Sequence, residues 1–310
     1  MAQKQLIRSV RGSHARQYLG YAPSEKDQKP KHSDVGLDAL PPYEFYKDAV
    51  FVCLDYEGVC GEKDVTSEIG LSFLDVRDLY QRLKPQGSAA SGKDFSPHDA
   101  TPAGDRGKNW FRFIRTMHWR NQDHKHYATC PKHYHKGDPG AFAFGSTKFI
   151  REAEIEALMN GWITNIGKRN LRPGEEKRNI ILLSFASHME ETSTRRHVGR
   201  EHDWFRAYDA WDIQKMGFAA LLASAHFNDS DTSKKIGNPD ACRWLGVNTG
   251  TNLLHNAGND SAFEMQAFLA GQLLTDTQKD TIKNGTHLPA LPSTWNQHAA
   301  NTNRSRPYPA

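Results

Sequence analysis

One short run constrains this chain more than anything else in it: Ala49-Val50-Phe51-Val52-Cys53-Leu54. An unbroken stretch of apolar, β-forming residues predicts a strand buried on both faces, as found in a sheet covered by helices. It ends at Asp55-Tyr56-Glu57, with Gly58 and Gly61 as turn residues, and Glu68 to Val76 reads as a second strand. So short a link pairs the two strands antiparallel. Trp110-Phe111-Arg112-Phe113-Ile114 is a candidate third strand. A helix is expected from near Ser146 to about Gly167, capped by Ser146 or Thr147, with Ile155, Leu158, Met159 and Trp162 on one face. Ile180-Ile181-Leu182-Leu183 follows it as a buried strand, which fits a crossover to a parallel neighbour. Further helices are expected after Trp211-Asp212, from Asn238-Pro239 to Gly246, and from a cap at Asn259 or Asp260 with Phe263, Ala267, Ala270 and Leu274 inward.

Strands first, then a helix, a strand and more helices: this order predicts an α/β layered domain with a mixed central sheet over residues 46–275. Residues 84–108 and 118–140 read as loop insertions. Residues 1–45 read as a basic, mostly disordered extension, and 276–310 as a flexible Pro-rich tail. A net charge of +4 permits a polyanionic partner without requiring one. The four cysteines, Cys53, Cys60, Cys130 and Cys242, are scattered, which argues against a disulfide framework and for a reducing compartment, cytoplasmic or nuclear. Nothing approaches a membrane span or a secretory signal. Lys4, Arg8, Arg11 and Arg16 precede the first acid, Glu25. That pattern suits either a mitochondrial presequence or an arm that touches phosphate.

The chemistry lies in two places. In a strand, residues i and i+2 share a face, so Asp55 and Glu57 would project together. Paired hard-oxygen ligands are what Mg²⁺ or Mn²⁺ requires, although an Asp-x-Glu at a strand end is also an ordinary solvated turn. The second place is His255-Asn256-Ala257-Gly258-Asn259-Asp260, at the entrance to an apolar helix. There Asp260 can be a ligand or a helix cap, and His255 a proton acceptor or a loop histidine. His118, His124, His126, Cys130, His133 and His135 form a His-rich stretch. It reads as a surface loop, or as a zinc site built from Cys130, His133, His124 and His126. Asp212 reads as a helix cap. Arg195 and Arg196, with Trp204 nearby, can hold phosphate and stack a base, or form a solvated surface.

Taken together, Asp-x-Glu after the first strand, Glu68-Ile69-Gly70 on the second, and His-x-Ala-x-x-Asp opening the last helix resemble the DEDDh exonuclease superfamily. Three stretches are similar, more narrowly, to the fungal family that includes the Argonaute-interacting exonuclease of the quelling pathway. They are Thr66 to Leu71 with Asp75-Val76-Arg77-Asp78-Leu79, Phe142 to Ile150, and Leu254 to Gln266. The resemblance implies an RNase H-like three-layer fold and 3′–5′ trimming of single-stranded RNA or DNA by two divalent ions. Asp55, Glu57, Asp260 and Glu190 would hold the ions, His255 would take the proton, and an Argonaute-like or RNA-processing protein would be a partner. One position departs from the pattern. Phe185 stands where the superfamily places a second-motif His, and Glu190 where it places Asp. A catalytically inactive scaffold that binds RNA is the alternative this departure raises.

Overall fold

The structure, a computed structural model, describes residues 19, 49–59, 62–80, 101–125, 138–171, 174–185, 193, 209–228, 234–250 and 253–293. Among them the chain forms six strands: β1 (Val50–Val59), β2 (Glu62–Asp75), β3 (Arg115–Asn121), β4 (Lys148–Ile150), β5 (Ile180–Ser184) and β6 (Asp209–Asp212). They join in one mixed sheet in the order β4-β3-β2-β1-β5-β6. β1 pairs antiparallel with β2 and parallel with β5, as the short link and the helical crossover predict. The helices are α1 (Val76–Tyr80), α2 (Ile155–Gly167), α3 (Gly217–Phe227), α4 (Asn238–Leu245), α5 (Ala257–Gln272) and α6 (Asp276–Lys283). The result is the expected α/β architecture, a mixed sheet flanked by helices and consistent with the RNase H-like fold. No helix among the described residues is long and apolar enough to cross a membrane.

Alternation along β1 sorts its side chains between two cores. Val50, Val52 and Leu54 pack with Ile69, Leu71, Phe73 and Trp119 against Ile155, Met159, Ile163 and Ile166 of α2. Phe51 and Cys53 face the other way, toward α5, where Phe51 lies 5.0 Å from the Phe268 ring. The same period carries Asp55 and Glu57 to the α5 side. β2 repeats the sorting: Ser72 meets Ser261 of α5 at 3.0 Å, and Gly70 lies directly under the helix. A Cβ on Gly70 would stand 1.8 Å from the Ala257 carbonyl oxygen, so only glycine lets the start of α5 rest on the sheet. All sixteen residues of α5 are buried. At the far end of β2, Asp75 accepts two bonds from Arg178, at 2.9 and 3.1 Å, while Arg77 makes a fork of 2.7 Å bonds to Glu175. The Asp75-Val76-Arg77 motif thus ties β2 to the approach to β5.

Several expectations are corrected. The third strand is Arg115–Asn121, and Phe111–Phe113 before it is a 3₁₀ turn whose phenylalanines enter the core. The insertion read at 84–108 ends in core-packed residues, with Ala103, Arg106 and Gly107 buried; residues 81–100 lie outside the described set. The helix expected from Ser146 begins at Ile155, because Lys148–Ile150 pairs with β3 as an edge strand. Asp212 ends β6 and caps a 3₁₀ turn, accepting from the Gln214 N–H at 3.0 Å, before α3 starts at Gly217. Gly237, not Asn238, caps α4, with Pro239 in its first turn. The region read as a tail from 276 carries α6, capped by Thr275, and its core contacts extend to Leu288 and Leu291. Of the extension read at 1–45, only residue 19 is described, and Leu19 is buried.

Candidate metal centre

The first regular stretch of β1 ends at Glu57, where the register with β2 breaks between Glu57 and Gly58. α5 starts on the same side of the sheet. Its cap is Asn256, whose side chain accepts from the Asn259 N–H at 3.1 Å, so neither Asn259 nor Asp260 is the cap. Asp260 instead lies in the first turn, buried, where the helix dipole favours a negative charge. Its Oδ2 accepts the His255 backbone N–H at 2.8 Å. Its Oδ1 is buried and has no hydrogen-bond partner among the described residues, which leaves that oxygen available as a ligand. His255 itself has a left-handed backbone, φ 61°. Such a conformation is uncommon for a non-glycine residue and tends to occur where a side chain is being aimed.

These turns bring one ligand atom each from Glu57, His255 and Asp260 within 4.8 Å of one another. Two carboxylates and an imidazole at that spacing suit a divalent cation. Asp55 stands two residues before Glu57 on the same face, opposite Gly70 in register, and is not one of the three. His255, expected only as a proton acceptor, is also a possible ligand. Glu190, Arg195, Arg196 and Trp204 lie outside the described residues, as do His126, Cys130, His133 and His135. His118 is not on a surface loop. It is buried in β3, with one ring nitrogen 2.9 Å from Glu68 Oε2 and the other 2.9 Å from Thr147 Oγ1.

Glu68 also stands beside the centre, a placement that no local pattern in the sequence announces. It faces Glu57 across the β1–β2 pair, and its carboxylate accepts the Ala257 N–H at the start of α5 at 3.3 Å. The crowding has an electrostatic consequence. Burial, with the added charge of Glu68, pushes the Glu57 carboxyl from its ordinary 4.5 to about 7. Burial and the charges of Glu57 and Glu68 also hold the Asp260 carboxyl well above its usual range, against the lowering effect of the His255 N–H.

A pH dependence follows. Between about 4.5 and 7 the folded protein holds a proton on Glu57 that the unfolded chain releases, and Asp260, raised in the same direction, adds to the effect, so the metal-free fold loses stability as pH rises through that window. Thermal melts from pH 5 to 8 in chelator should show this loss, and the slope should flatten in Glu57→Gln. A divalent ion needs the ionised carboxylates, so it should reverse the trend, adding about 2.7 kcal/mol at a hundredfold excess over its Kd. Identical slopes in Glu57→Gln and wild type would remove Glu57 as the source.

No curated protein matches the chain. A family model described as DNA polymerase III subunit epsilon-like, C-terminal domain, of the DEDDh group, matches residues 50–271, the stretch from the first residue of β1 to the last turn of α5. With the acidic strand end and the His-x-Ala-x-x-Asp turn facing each other inside that span, the chain belongs to the DEDDh family of exonuclease-type nuclease domains.

Proposed function

We propose that this chain is a divalent-metal-dependent 3′–5′ exonuclease acting on single-stranded nucleic acid. The observation that carries the reading is the convergence of Glu57, His255 and Asp260, from a strand end and a helix start far apart in the chain, to within 4.8 Å. The residues proposed to hold a pair of Mg²⁺ or Mn²⁺ ions are Asp55, Glu57, Asp260 and Glu190. Bound there, such ions lower the pKa of an attacking water and offset charge on the departing 3′ oxygen. The chain's own groups do the rest. β1, an interior strand, offers Asp55 and Glu57 from one face near its end, and the buried α5 holds Asp260 near Glu57. His255 sits in a fixed turn where its ring can take a proton. Arg195 and Arg196 are proposed to hold phosphate, and Trp204 to stack a base. The preference for single strands, the kinship with the fungal quelling family and an Argonaute-like or RNA-processing partner rest on the three similar stretches named above.

Phe185 favours a second reading. It is buried where the superfamily's second motif has a histidine, and Glu190 replaces the expected aspartate. A chain so altered can keep the fold as an RNA-binding scaffold. The full chain incubated with 5′-labelled single-stranded RNA and DNA separates the two. A ladder shortening from the 3′ end in Mg²⁺ or Mn²⁺, and absent in chelator, is the expected result. Intact strands in both metals, with RNA retained on the protein, would hand the function to the scaffold reading.

A further inference from the structure

The segment from Asp138 to Thr147 leads into β4 and lies across the start of α5 with most of its residues half-buried or exposed. Side chains from the helix and the sheet hold it. Asn259, fully buried, accepts the Ala143 N–H through Oδ1 at 2.9 Å and donates through Nδ2 to the Ala141 carbonyl at 2.9 Å. The same amide donates to the Leu253 carbonyl at 2.8 Å. Asn256 donates to the Pro139 carbonyl at 3.2 Å. Phe144 packs edge-on to Phe263 of α5 at 5.5 Å. At the far end, the Thr147 hydroxyl meets His118, whose other nitrogen meets Glu68, which in turn accepts from Ala257. Gly258 leaves room for this arrangement, since a Cβ there would lie 2.6 Å from His118 Cβ and 2.7 Å from the Phe142 ring.

These contacts converge on the turn 253–260, which carries two of the three groups of the candidate centre. Asn259 grips Leu253, two residues before His255, and stands directly before Asp260. His255 needs such a grip, because its left-handed backbone is one the chain would otherwise leave. We propose that Asn259 and the His118–Thr147 pair are positioning residues, and that the 138–147 segment is a strap that holds His255 and Asp260 in ligand geometry. The inference rests on the metal reading above and deepens it.

The test uses the full chain with Mn²⁺ alone, titrated by calorimetry, and amide exchange over 253–260 in metal-free protein. Outer partners of ligands typically govern affinity by 10–100-fold, so Asn259→Ala should weaken Mn²⁺ binding by about that factor. Thr147→Val, a mild change at a half-buried residue, should weaken it by roughly threefold to tenfold, and Thr147→Ser should restore it. Exchange over 253–260 should quicken in Asn259→Ala and Thr147→Val and stay near wild type in Thr147→Ser. Should Asn259→Ala fail to fold, the threonine pair decides. Unchanged affinity and exchange in Thr147→Val overturn the strap. Wild-type protein that takes up no Mn²⁺ overturns the metal reading, and the exchange data then support or overturn the strap on their own.

Discussion

An Asp260→Asn protein is expected to lose 3′-end shortening while melting at a higher temperature than wild type in chelator at neutral pH. The two effects have one origin. Asp260 is buried beside Glu57 and within range of Glu68, where solvent screening is weak. Replacing it with a neutral amide removes the cost of burying an ionisable carboxyl there, which the metal-free fold meets either as repulsion from Glu57 and Glu68 or by holding a proton that the unfolded chain releases. The asparagine amide oxygen can still accept the His255 N–H that Oδ2 accepts now, so the turn should survive. The amide nitrogen can donate to Glu57. What disappears is the anionic oxygen needed to grip a hard cation. Loss of a preorganised electrostatic contribution of this kind costs on the order of 10²–10³-fold in rate. An oligonucleotide ladder in Mn²⁺ and a melt in chelator check both halves. Undiminished cutting would show that Asp260 holds no ion. A lower melting temperature would show that its hydrogen bond outweighs the repulsion.

How far the residues themselves disclose this site depends on what each one packs against. β1 and β5 are covered on both faces, so their apolar runs are continuous and readable without any fold in hand. β3 reads Arg-Thr-Met-His-Trp-Arg-Asn, because its α5 side meets serine and glutamate. Its other face puts only Met117 and Trp119 into the α2-side core, an alternation too short to stand out beside the continuous apolar run Trp110 to Ile114 that precedes it. α5 is the helix expected there, with Phe263, Ala267 and Ala270 buried, but its polar members were not readable. Burial on all sides removes its stripe, and its polar members Asn259, Ser261 and Glu264 are satisfied across the fold, by Ala141, Ser72 and Cys53. Those partners lie between 118 and 211 residues away in the chain, beyond any local pattern. The carboxylates were legible because a strand's alternation is local and the His-x-Ala-x-x-Asp spacing is local. Glu68, His118 and Asn259 were not, because their partners, the start of α5, Thr147 and the Ala141–Ala143 backbone, lie far away in the chain.

A Glu190→Asp protein is expected to cut faster than wild type, by on the order of 10–100-fold. β5 runs parallel to β1, with Cys53 opposite Leu183, so the chain leaves β5 beside Asp55. Phe185, the first residue past the strand, is buried in the core on the α5 side, which anchors the exit. Glu190 itself lies outside the described residues, five positions farther along a chain that starts from the correct end of the sheet. A glutamate there carries one methylene more than the aspartate of the superfamily. A misplacement of about 1 Å at a reacting centre can cost roughly 100-fold, and shortening the side chain should recover part of that. Glu191→Asp is the control, and its rate should match wild type. The assay is the same ladder, read as initial rate at saturating Mn²⁺. A gain at 190 alone identifies that position as a ligand and the substitution as the limit on rate. Equal rates in wild type and both variants would place the fourth carboxylate elsewhere, and no cutting in any of the three would overturn the nuclease reading.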